Sequence, residues 1–188
     1  GASGESLGLL LEGIHLRSGG FKELESGGPT GFERNEFMLK SGWEVNPDNS
    51  VLLKLGYSNE ESHETYLGLT RKDWEETPYR RYAASSLGLM QWNRTQAHLE
   101  WNATPNPDLD FRTVAYHHWL DRSWTKLNGF SDGTGLHNLL YSAPESGQGA
   151  VYLSILRGEE DSSTSGQLLQ IGTNARKFHN FGVQSTMR

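Results

Sequence analysis

Two stretches of strict two-residue alternation, each folded back on itself at a proline-bearing turn, constrain this chain more than any other feature. In residues 36–45, Phe37, Leu39, Trp43 and Val45 fall on one side and Glu36, Lys40 and Glu44 on the other, the period of a β-strand. Asn46-Pro47-Asp48-Asn49 is a compact turn of residues suited to tight geometry. Beyond it Val51, Leu53, Leu55 and Tyr57 share a face opposite Lys54 and Gly56. The pattern predicts an antiparallel hairpin, 36–45 with 50–57, with Phe37, Leu39, Val51 and Leu53 on a common face.

The design repeats. Residues 85–103 alternate again, with Leu87, Leu89, Ala97, Leu99 and Trp101 in register against Arg94, Gln96, His98, Glu100 and Asn102. Thr104-Pro105-Asn106-Pro107-Asp108 is the turn, and Leu109, Phe111, Thr113, Ala115 and Trp119 alternate with Asp110 and Arg112 after it. A second hairpin, 89–103 with 109–120, is expected. With an entering strand at 7–17 and an exiting one at 178–188, six strands are expected. Their connections alternate between brief turns and long stretches at 18–33, 58–84 and 123–177.

Soluble sandwiches seldom distribute loop length this way. Outer-membrane barrels do, with short turns at one rim, long loops at the other, and up-and-down strands that are apolar toward lipid and polar toward the lumen. Trp43, Tyr57, Trp101 and Trp119 near strand ends fit the aromatic girdle of such a barrel. The fold class expected is therefore all-β: antiparallel up-and-down strands, one barrel segment over 1–188 with long extracellular loops. A soluble β-sandwich that binds a ligand or carbohydrate, with Trp74, Trp119 or Trp124 as stacking platforms, is the alternative.

Composition narrows the functional classes. Only 35% of residues are hydrophobic and mean hydropathy is -0.64, while 22 Gly, 7 Phe, 6 Trp and 7 Tyr suit an aromatic-rich β protein. A net charge of -6 gives no broad basic field for nucleic acid. The absence of cysteine removes disulfides, thiolate metal sites and cysteine nucleophiles. No apolar run is long enough for a transmembrane helix, which leaves membrane strands open. The opening Gly-Ala-Ser-Gly lacks the basic start and apolar stretch of a signal peptide.

The stretch Glu64-Thr65-Tyr66-Leu67-Gly68-Leu69-Thr70, then Asp73, then Pro78-Tyr79-Arg80-Arg81-Tyr82-Ala83-Ala84-Ser85, resembles a segment of TonB-dependent outer-membrane receptors of the ferric citrate and siderophore type. Gly20-Phe21-Lys22-Glu23-Leu24, Met38-Leu39-Lys40 and Arg122-Ser123-Trp124-Thr125-Lys126-Leu127 agree in order and spacing, so the similarity spans about residues 18–188. The resemblance implies a barrel of ~22 strands, an amino-terminal plug and energy coupling through TonB. This chain has room for about a quarter of such a barrel. It has neither a plug nor a TonB-contacting box, and its last residues, Thr186-Met187-Arg188, lack a terminal aromatic. A fragment, an assembly with other chains, or recruitment to a soluble role is expected, because open strand edges are not tolerated in lipid.

Within that resemblance the implied cargo is an anionic iron chelate, the implied location the outer membrane of a Gram-negative bacterium, and the implied partners outer-membrane lipid and TonB. Carboxylate chelates call for guanidinium and ammonium groups on a loop. Arg71, Lys72, Arg80 and Arg81, with Tyr79 and Trp74 among them, supply the set. The bidentate fork of arginine favours Arg80 and Arg81. The competing reading is that these groups offset Asp73, Glu75 and Glu76, or meet lipopolysaccharide phosphates.

No enzyme and no cofactor is expected. His117 and His118, adjacent on a strand, point to opposite faces and cannot share a metal. His63 would need a distant third ligand. The acidic run Arg157-Gly158-Glu159-Glu160-Asp161 lacks calcium-loop spacing. Glu100, Asp110 and Asp121 form no more than an arbitrary carboxylate set. The sequence contains no Gly-x-Ser-x-Gly, phosphate loop or His-Glu-x-x-His.

Overall fold

The computed structural model describes all residues, Gly1–Arg188. Its strands are β1 (Ala2–Ser3), β2 (Leu7–Ser18), β3 (Glu23–Leu24), β4 (Phe32–Asn46), β5 (Asn49–Ser62), β6 (Arg80–Arg81), β7 (Leu89–Asn106), β8 (Leu109–Phe130) and β9 (Leu169–Met187). Seven of them form one antiparallel sheet in the order β1-β2-β4-β5-β7-β8-β9, and β3 pairs with β6 in parallel. The large sheet is an up-and-down meander, so all three long connections lie at one end and both tight turns at the other.

The two turns are the same tripeptide, Asn-Pro-Asp. Asn46 Oδ1 accepts from the Asp48 N–H at 3.0 Å and Asn106 Oδ1 accepts from the Asp108 N–H at 3.1 Å, the asparagine side chain closing each turn. Each follows a register shift, between Glu44 and Asn46 and between Ala103 and Asn106. The bulge adds local twist where the chain reverses. Asn46→Ala should cost about 1 kcal/mol, the net worth of one such bond. Comparing the denaturation midpoints of wild type and variant checks this, and the register of 36–45 against 50–57 should be unchanged.

Both expected hairpins are present, and their pairing sorts the side chains into two faces. Residues paired across antiparallel strands lie on the same side of a sheet. One row runs Leu7, Trp43, Val51, Trp101, Thr113, Ser185, and the next Leu9, Ser41, Leu53, Leu99, Ala115, Val183. Above these come Leu11, Leu39, Leu55, Ala97, His117, Phe181, then Gly13, Phe37, Tyr57, Thr95, Trp119, His179. Two mainly aliphatic rows are thus bracketed by two rows bearing aromatics, a band about 20 Å long at two residues per step. The row beyond is His15, Asn35, Asn59, Asn93, Asp121, Lys177, polar on every strand.

The other face of β4, β5, β7 and β8 carries Glu36, Lys40, Lys54, Arg94, His98, Glu100 and Arg112, while on that side the flanking strands present Leu10, Ile14 and Leu16 of β2 and Phe178 of β9. Nothing in the chain covers the apolar band. Leu11 is 68% exposed, Phe181 75% and Val183 71%. The second layer that a sandwich requires is therefore missing, since only the short β3–β6 pair accompanies the main sheet. Nor does the sheet close: β9 pairs only with β8.

The buried core lies at the loop end. Leu67, Tyr82, Ala84, Leu127, Phe130 and Leu139 pack with Tyr152, Leu153, Ile155 and Leu156. The last four lie on α3 (Gly147–Arg157), which follows α2 (Leu136–Ser142) in the connection between β8 and β9. The long connections are shorter than the alternation implies, because β5 continues to Ser62, β8 to Phe130, and β9 begins at Leu169. The end of β5, Ser58–Ser62, carries polar residues on both faces, and Leu127 and Phe130 at the end of β8 turn into the buried core, so the period-two signal lapses while the backbone ladder continues. β7, conversely, begins at Leu89, and Ala83–Ser85 forms a turn of 3-10 helix before it.

Candidate functional site

Thr70 starts the short helix α1 (Arg71–Glu76) by accepting the Asp73 N–H on its hydroxyl at 3.2 Å. The same hydroxyl donates to Asp73 Oδ2 at 2.9 Å, so threonine and aspartate brace each other. The Asp73 side chain is 5% exposed. Into it converge the Tyr82 hydroxyl, Arg80 Nη1 at 3.2 Å, and Arg157 through Nε at 3.1 Å and Nη2 at 2.8 Å. Tyr82 also accepts the Thr70 N–H at 2.9 Å. Burial pushes the Asp73 carboxyl up, but donation from Tyr82, Arg157 and Thr70, with the Arg157 charge, outweighs it and holds the group below the usual range. Burial and the neighbouring Asp73 push the Tyr82 phenol up.

Of the residues expected to meet a ligand, this hub holds one, Arg80. Arg80 is committed to the fold: besides Asp73, its guanidinium lies beside Glu25 and, at 3.8 Å, Glu159. Arg81 donates to the Pro78 carbonyl at 3.0 Å. Arg71 is 87% exposed along its side chain and pairs with Glu75 one turn on, at 2.7 Å. Lys72 and Trp74 are exposed on the same helix, Trp74 at 57%. Tyr79 is exposed and meets Phe21 edge-on, ring centres 6.1 Å apart. Arg71, Lys72 and Trp74 thus form one accessible group, while Arg80 would have to leave a carboxylate to bind anything else.

Arg157 and Tyr82 are the members of the hub that the sequence does not announce. Thr70-x-x-Asp73 is a readable capping pattern, whereas the Arg157–Asp73 pair spans 84 residues. On the charged face, Glu100 takes Arg112 at 2.8 Å and stands 3.5 Å from His98, and Arg34 lies over the Trp92 ring at 5.4 Å. Arg94 shares that face.

His117 and His118 lie on opposite faces, as do Glu100 and Asp121. His63 lies 3.7 Å from Glu61. No three His, Asp or Glu side chains stand close enough to hold a metal ion. Trp119 stacks on His179 on the apolar face, whereas Trp124 lies on the other face, edge-on to Tyr66 with the Lys126 ammonium 4.7 Å from its ring. With Trp74 on α1, the three tryptophans form no common platform.

Fold and site together define an all-β protein made of a single antiparallel meander, two-faced along its length and capped at one end. Comparison with protein-family models, curated proteins and solved structures returns no match.

Proposed function

We propose that this chain is part of the wall and outer cap of a TonB-dependent outer-membrane receptor that imports an iron chelate such as ferric citrate or a siderophore. The observation that carries the reading is the banded face: aliphatic rows between aromatic rows, ending at a row that is polar on every strand. Lipid-facing barrel surfaces have this layout, an apolar belt with aromatic girdles at both interfaces. The opposite face, with Arg94, His98, Glu100 and Arg112, would line the lumen. The long connections would stand outside the cell, where Arg71, Lys72, Trp74, Tyr79 and Arg81 would meet an anionic chelate. On this reading the chain is a transport component rather than an enzyme, and its partners are lipid, cargo and TonB acting through the rest of the receptor.

The experiment removes charges that the fold does not use. Arg71→Ala with Lys72→Ala should weaken binding of ferric citrate at least tenfold, since each charged hydrogen bond to a carboxylate contributes about 1.5 to 3 kcal/mol. Titration of the assembled receptor with the chelate reads the change. Undiminished affinity for every anionic chelate tried removes these two residues from the site. Arg80→Ala is the wrong probe for this purpose, because it also strips a partner from buried Asp73.

A further inference from the structure

Directly above the upper aromatic row lies a cleft of about 720 Å³, within the size range of small-ligand sites. Its walls come from β2, β4, β5, β7 and β8, and Pro29 and Gly31 of the connection between β2 and β4 close one side. Only glycine fits at position 31, where a Cβ would stand 1.8 Å from the Ser18 carbonyl oxygen. That contact seats the connection on the strand end and gives the cleft a fixed rim.

Three of the 18 lining residues are hydrophobic, so an apolar ligand is poorly served. The floor is a ladder of bonded polar groups, Asn35 Nδ2 to Asn59 Oδ1 at 3.1 Å and Asn59 Nδ2 to the Tyr57 hydroxyl at 3.3 Å, and His15 Nδ1 meets Asn35 Oδ1 at 2.7 Å from beside the cleft. Gln91 Nε2 donates to Glu61 at 2.7 Å. Asn93, paired with Asp121, and Ser123, paired with Gln91, add an amide and a hydroxyl that these bonds do not use. On this side of the sheet three carboxylates, from Glu33, Glu61 and Asp121, outnumber the Arg17 guanidinium and the Lys177 ammonium that stands 3.6 Å from Asp121, which disfavours an anion. The carboxylates are also too dispersed to hold a metal ion.

Planar amides and carboxylates held in a row offer alternating donors and acceptors, the complement of vicinal hydroxyl groups. We propose that this cleft binds a neutral sugar, either free or carried on a lipid. Asn93 and Ser123 supply hydrogen bonds to its hydroxyls, and Glu33 accepts from them. The inference goes beyond the transport reading and needs only the cleft, so failure of membrane insertion would leave it standing.

The whole chain is held in lauryldimethylamine oxide, a detergent without sugar, and titrated with maltose while saturation-transfer NMR records contact. Saturable binding in the millimolar range is expected. Asn93→Ala with Ser123→Ala should weaken it at least tenfold, and Asn180→Ala, on the opposite face, should leave it unchanged. Dodecyl maltoside doped into the micelle presents the same headgroup on a chain. Tighter binding of the maltoside assigns a lipid-borne sugar and equal binding a free one, either of which supports the cleft. The proposal is overturned if no neutral sugar among maltose, lactose and cellobiose saturates, if the double variant binds as well as wild type, or if glucose 6-phosphate binds more tightly than glucose.

Discussion

Asp73→Ala is expected to cost about 3 to 5 kcal/mol, the usual penalty for removing one partner of a buried ion pair. The carboxylate joins α1 to α3 through Arg157 and holds Arg80 and Tyr82 beside them. Without it, two guanidinium groups lose their buried counter-charge. The loss should be confined to the cap, because the ladder from β2 to β9 makes no use of this side chain. Limited proteolysis should show new cuts within 63–88 and 131–168 while the strands stay protected. Asp73→Asn keeps the shape and should open the cap less.

Acid supplies a second measurement of the same hub. A carboxylate whose folded pKa is depressed contributes stability that is fully present above its unfolded value, about 3.9, and is lost as pH falls toward the folded value. Protease susceptibility of the cap should therefore rise below about pH 4. In Asp73→Asn that rise should be largely gone, and an unchanged acid profile in the variant would assign it to other carboxylates.

Leu53→Arg should be nearly as damaging by a different route. Leu53 lies within the apolar band, between Ser41 and Leu99. A charge on a lipid-facing strand near the bilayer midplane costs about 2 to 4 kcal/mol. Lys54, the next residue, faces the charged side, and Lys54→Gln should be close to neutral. The inserted fraction in lipid vesicles across a urea series separates the two. Equal insertion of wild type and Leu53→Arg would remove the lipid reading and leave the band as a surface that another protein covers.

The hairpins were legible because burial and exposure alternate with the strand period at Phe37, Leu39, Val51 and Leu53, and because Asn-Pro-Asp carries its own turn chemistry. Where Asn35, Asn59, Asn93 and Asp121 put polar groups on the formerly apolar face, the contrast between faces disappears, and the outer strand ends could not be told from loops. α3 was missed within a long connection, although Tyr152, Leu153, Ile155 and Leu156 keep helical spacing ahead of Gly158, which ends the helix at φ 83°. The role of Arg80 was hidden for another reason. An exposed loop arginine and a buried ion-paired one look alike in sequence, and the difference lies in Glu25 and Glu159, both remote from it.

The placement of the core at one end sets an order of assembly. The hairpins β4–β5 and β7–β8 each close across a two-residue turn and gain contacts at once, so they can form as the chain is made, whereas β2–β4, β5–β7 and β8–β9 join across long connections. The ion pair between Asp73 and Arg157 must close a loop of 84 residues, which is entropically disfavoured until β7 and β8 have paired and drawn its ends together. The cap therefore acts as a report on the sheet: it can lock only when the strands beneath it are already in place.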